Sequence, residues 1–177
     1  MVSWTSSFDY FSLEGIPWLM GAWLALIFFR PLATLLHESG HLLPTWLLTN
    51  GSIQVRIGSD FNHSIQIGRR IELFLSLRNP MEGVTICEDE NLKKITQAII
   101  LLGGPCFSLG FAAATGWALL SHANPVWLEI LMVGMLCAHA LAFLRSVVPM
   151  RLKATKSYPH GPPSDGLQLI QLLTRRD

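Results

Sequence analysis

Residues 16–48, IPWLMGAWLALIFFRPLATLLHESGHLLPTWLL, constrain this chain more than any other stretch. About 20 apolar residues cross the hydrocarbon core of a bilayer, and this run is long enough to do so. In its second half stand His37, Glu38, Ser39, Gly40 and His41, an H-E-x-x-H sequence. Residues four apart share one face of a helix, so the two imidazoles can meet one metal ion. Glu38 lies about 100° round the same turn, within reach of a water activated by that ion. Two ligands and a base on one turn are the parts a zinc hydrolase needs. The plainer reading is a pair of histidines that solvate a helix end. Three polar groups on one turn of an apolar span are costly in lipid, which favours the functional reading.

The rest of the composition agrees with a membrane protein. Half of the 177 residues are hydrophobic and 14% are charged, against a typical quarter charged. The apolar residues are bunched into long runs rather than spread. The size suits one domain, residues 1–177. A formal net charge of +1 gives no reason to expect nucleic acid. Cys87, Cys106 and Cys137 are far apart and form no C-x-x-C pair or disulfide framework. The first fifteen residues carry Asp9 and Glu14 and no Lys or Arg. That is the reverse of a signal peptide's basic start, so the first span is expected to stay in the membrane.

Three spans are expected, at about 16–43, 95–120 and 126–148. Trp4, Phe8, Tyr10, Phe11 and Trp18 suit a headgroup belt before the first. Arg30-Pro31 interrupts that span and Pro31 should kink it; Pro44 either bends it again or ends it. Between the first two spans the period changes to two: Ile53, Val55 and Ile57, then Ile65 and Ile67, then Ile71, Leu73, Leu75 and Leu77. This alternation predicts a small antiparallel sheet over about 52–78, lying at the membrane surface. Asn79-Pro80 and Glu82-Gly83 read as its end. The second span is rich in Gly, Ala and Ser, which lets helices approach closely in lipid. His139 lies in the third, where a packed histidine is the default; His63 and His122 read as loop residues. A short, partly amphipathic helix follows, with Leu167, Ile170, Leu172 and Leu173.

Lys and Arg alternate across these spans. The lead-in and the connector after the second span have none. The sheet region holds Arg56, Arg69, Arg70, Arg78, Lys93 and Lys94, and the tail holds Arg151, Lys153, Lys156, Arg175 and Arg176. The positive-inside rule then puts the amino terminus outside, with the sheet and the carboxyl terminus in the cytoplasm.

A catalytic zinc takes three protein ligands and keeps one position for water. The third ligand must reach the depth of His37 and His41. Asp165, in Pro162-Pro163-Ser164-Asp165-Gly166, is the best candidate. It precedes an apolar run, so it can equally be a plain helix N-cap, and spacing alone leaves both open. His160, Glu88, Asp89 and Glu90 are weaker competitors.

Three elements occur in order within or after the spans: His37-Glu38-Ser39-Gly40-His41, Gly104-Pro105-Cys106-Phe107-Ser108 and Pro162-Pro163-Ser164-Asp165-Gly166. This set resembles the site-2 protease family of intramembrane zinc metallopeptidases. The resemblance implies that His37, His41 and Asp165 hold Zn2+. It implies that Glu38 is the general base, which later protonates the leaving amine, and that Gly104 and Ser108 line the substrate or its oxyanion. It also implies that the sheet offers an edge to an unwound substrate helix. The expected partners are the lipid bilayer and a membrane-anchored protein or peptide substrate, with a larger membrane complex as a further setting. The expected location is the cytoplasmic membrane of a bacterium. Two positions depart from the family: Ser108 where Asn is common, and Ser164 where Leu precedes the D-G pair. About a dozen residues follow Asp165, too few to span a bilayer. These departures motivate a second reading, a non-catalytic metal-binding membrane subunit or scaffold. A metal-handling protein is a weaker third, because Cys, Met or His clusters along a path are missing.

Overall fold

The described residues form four helices and four strands, one strand more than the alternation predicts. A computed structural model describes residues 15–59, 63–76, 78–79, 82–89, 92–122, 124–152, 154 and 160–175. In chain order they form α1 (Ile16–Leu48), β1 (Ile53–Ile57), β2 (Ser64–Ile67), β3 (Ile71–Leu75) and β4 (Gly83–Cys87). Then come α2 (Lys94–Ser121), α3 (Val126–Val147) and α4 (Asp165–Thr174). The helices α1, α2 and α3 are each long and apolar enough to cross a membrane. Their outward faces carry large exposed apolar side chains, such as Trp23, Phe28, Trp117 and Trp127. Such a surface suits lipid rather than water. The aromatic residues expected at a headgroup belt before Trp18, together with Leu77, Pro80, Glu90, Lys153, Lys156 and Arg176, lie outside the described residues.

Small residues set how the helices cross. A Cβ at Gly21 would meet Ile130, and one at Gly134 would meet Ala25. Both contacts pair α1 with a position 109 residues later, so α1 and α3 run parallel. By that offset Val147, the end of α3, falls level with Glu38. The last ten residues of α1 therefore continue beyond α3, by about 15 Å at 1.5 Å per residue. α2 runs the other way. A Cβ at Gly103 would strike the carbonyl of Gly40, and one at Gly40 would stand 2.5 Å from the carbonyl of Gly103.

The first span is longer than the sequence suggests. It continues through Pro31 and Pro44 to Leu48 instead of closing near residue 43. Pro44 cannot donate to the carbonyl of Gly40, and that oxygen lies instead against Gly103. Thr45 and Thr49 bond back to His41 and Thr45 one turn earlier, at 2.7 Å each. Arg70 reaches the carbonyls of Thr49 at 2.5 Å and Gly51 at 3.1 Å, which satisfies the end of the helix.

The sheet also departs from expectation. Its order is β2-β3-β1-β4, with β1 and β3 parallel and the other pairs antiparallel. It is mixed rather than antiparallel because the β2–β3 hairpin folds back so that β3, not β2, lies beside β1. β1 takes a central place because Ile53, Val55 and Ile57 are its fully apolar face. They are buried against Leu35 and Leu42 of α1 and against Ile71 and Leu73 of β3. The sheet extends past residue 78 to β4, on the far side of the Glu82-Gly83 break.

Candidate metal centre

Each half of the centre is carried by a different part of the fold. His37 and His41 project from α1 toward α2, one turn apart, with ring centroids 4.9 Å apart. Asp165 comes from the first turn of α4. The three donors converge. His41 Nε2 lies 3.2 Å from His37 Nε2. Asp165 Oδ2 is 3.1 Å from His37 Nε2, and Oδ1 is 3.5 Å from His41 Nε2. An ion with bonds of 2.0–2.1 Å in a tetrahedral site holds its ligand atoms about 3.3 Å apart. The two imidazole nitrogens stand close to that spacing, each has an Asp165 oxygen nearby, and with one atom from each residue the donors lie within 4.8 Å of one another, so the group can hold a metal ion.

Contacts behind the rings fix which nitrogen faces the centre. His41 Nδ1 is 2.7 Å from the carbonyl of Ile100. A carbonyl only accepts, so Nδ1 carries the proton and Nε2 presents its lone pair. His37 Nδ1 is 2.9 Å from Ser108 Oγ. In the tautomer that presents Nε2, this nitrogen donates to the hydroxyl. Ser108 is fully buried. The resemblance implies that it meets substrate; in the structure its hydroxyl lies against the His37 ring. Gly104 faces the same point. A Cβ there would stand 2.7 Å from His37 Nε2 and collide with His41 Nε2. The bare Cα leaves room beside the two ring nitrogens.

Ser164, not Asp165, is the N-cap of α4. Its Oγ accepts from Leu167 N at 3.2 Å and donates to the carbonyl of Val148 at 2.7 Å. A short bridge, Arg151 with Pro163, ties the same segment to the end of α3. Gly166 lets α4 approach closely, since a Cβ there would hit the carbonyl of Val147. Asp165 is thereby relieved of capping and turned inward. Burial by itself would raise its carboxyl. Without a metal, hydrogen bonds from the imidazole nitrogens, and the charge of those rings when protonated, outweigh that and hold it down to about 2.

Glu38 is buried and points to the sheet. Thr85 Oγ1 donates to its Oε2 at 2.7 Å. Thr85 went unnoticed in the sequence, and Gly83 was read only as part of a break. Val84 and Ile86 mark a strand by alternation, but register with Val55 and Ile57 turns Thr85 and Gly83 toward α1. Polarity alone would have pointed the strand the wrong way round.

The other titratable candidates stay apart. His160, Glu88 and Asp89 are absent from the donor group among the described residues. Ser52 donates to Glu88 instead. His63 and His122 are exposed. His139 is fully buried on α3, stacked on Phe111 at 5.2 Å, with neither nitrogen bonded among the described residues. Compared with family models, with characterised proteins and with solved structures, the chain finds no match.

Proposed function

We propose that this chain is a membrane-embedded zinc metallopeptidase of the site-2 protease type, which cleaves membrane-anchored proteins near the cytoplasmic face. The observation that carries the reading is the joint placement of three donor atoms and a buried carboxylate. His37, His41 and Asp165 meet within 3.5 Å, and Glu38 sits on the same turn of α1. Two neutral imidazoles and one carboxylate are a donor set that suits zinc. Bound there, the metal would polarise the scissile carbonyl and make a water acidic enough to attack.

The chain's own groups do the rest. Glu38 takes the proton of the attacking water and passes it to the leaving amine. Ser108 and the Ile100 carbonyl keep both rings aimed during turnover. β4 is an outer strand of the sheet, and its free side offers main-chain partners to an extended segment. A helical peptide bond is shielded, so a substrate helix must unwind before attack. The edge next to Glu38 is where an unwound segment gains hydrogen bonds.

The test is Glu38→Gln in the purified full chain with a membrane-anchored reporter. Zinc content should match the wild type, and cleavage should drop by roughly 10²–10⁴-fold. Equal turnover in the variant refutes the mechanism and leaves the non-catalytic scaffold reading.

A further inference from the structure

We infer that Thr85 is a positioning residue for Glu38, so that the edge strand β4 sets where the base points. The inference rests on the peptidase reading and concerns how that same site is controlled. Glu38 has a flexible side chain on a rigid helix. Among the described residues the one hydrogen bond that reaches its carboxylate comes from Thr85, at 2.7 Å. The same hydroxyl lies 3.4 Å from the Glu38 carbonyl. The other carboxylate oxygen packs on Gly83, where a Cβ would stand 2.6 Å from Oε1. Positions 83 and 85 project from one face of the strand. The carboxylate is therefore held on both sides by β4, and α1 supplies only its root.

Among the described residues β4 is paired on one side only, through the β1 register that sets Thr85 opposite Val55. A five-residue edge strand is among the least restrained parts of such a fold. A segment that adds to its free side would bond to the backbone that carries Thr85. Docking and base alignment then share one element.

Acetohydroxamate tests this without a known substrate. A hydroxamic acid chelates a metal and gives its proton to a base beside it, so its affinity reports where Glu38 points. The full chain is loaded with zinc, and zinc and acetohydroxamate affinities are measured for wild type, Thr85→Val, Thr85→Ser and Gly83→Ala. Valine keeps the shape and strand preference of threonine and removes the hydroxyl. Thr85→Val should bind the probe roughly 10-fold more weakly, the scale of one hydrogen bond to a charged group. Thr85→Ser should restore it, Gly83→Ala should weaken it, and zinc affinity should be equal in all four. Wild-type probe affinity in Thr85→Val at equal zinc occupancy overturns the inference and leaves the peptidase reading standing. Loss of zinc in Thr85→Val also overturns it, because the role would then be structural. A wild type that takes up no zinc overturns both.

Discussion

Gly104→Ala is the sharpest probe of the metal centre, because it adds one methyl and removes no ligand. The new carbon would stand 2.7 Å from both His37 Nε2 and His41 Cε1. Non-bonded heavy atoms settle at about 3.5–4.0 Å. The rings must therefore retreat by about 0.8 Å or more. Metal–ligand distances tolerate about 0.2 Å, so the displacement exceeds the tolerance about fourfold. Changes in groups that merely support a ligand already cost about 10–100-fold in affinity. Displacing two ligands should cost at least about 100-fold, or close to 3 kcal/mol at 1.4 kcal/mol per decade. The assay is zinc titration of the purified, metal-stripped chain, with helix content followed by circular dichroism. Gly110→Ala on the same helix is the control, since a Cβ there meets nothing within 4 Å. It should bind zinc like the wild type. Wild-type zinc affinity in Gly104→Ala would show that the imidazoles do not converge on a metal, and the reasoning fails with it.

Three further outcomes follow from the same contacts. Ser164→Ala removes the cap of α4 and its bond to the Val148 carbonyl; it should cost about 1–2 kcal/mol of stability and weaken zinc binding as Asp165 loosens, both read by thermal melts with and without zinc. His139→Phe replaces a buried ring whose two nitrogens have no partner among the described residues; an unsatisfied buried group costs about 1–3 kcal/mol, so the melting temperature should stay level or rise with zinc content unchanged, and a loss of zinc would refute the packing role. In metal-free protein the Asp165 pKa lies below its ordinary value of 3.8. The carboxylate's contribution is then fully present above that value and lost as pH falls toward 2. An acid titration should show wild type losing stability between about pH 4 and 2, a loss that Asp165→Asn should lack.

Some of this was legible in the residues alone. The H-E-x-x-H turn and the three apolar runs are local patterns. Their meaning depends on helical spacing and on span length, which any reader of the chain can measure. Period-two alternation likewise revealed β1, β2 and β3. The pairing of those strands was not legible, because the parallel β1–β3 contact depends on where a hairpin folds back. β4 was hidden for a related reason: its Gly83 reads as a breaker in isolation, yet serves as the flat spot against which Glu38 packs.

The roles of neighbours were equally out of reach. Ser164 and Asp165 are both good N-caps by type, and only the docking of α4 on α2 and α3 assigns capping to the first and frees the second. That Ser108 lies beside His37 was not readable either, because the crossing of α1 and α2 at Gly40 and Gly103 sets that contact. Sequence determined which groups with the right chemistry exist and which turn carries two of them. Tertiary structure alone decided which meet, because contacts across 71 and 128 residues are set by how buried surfaces pack and not by any spacing along the chain.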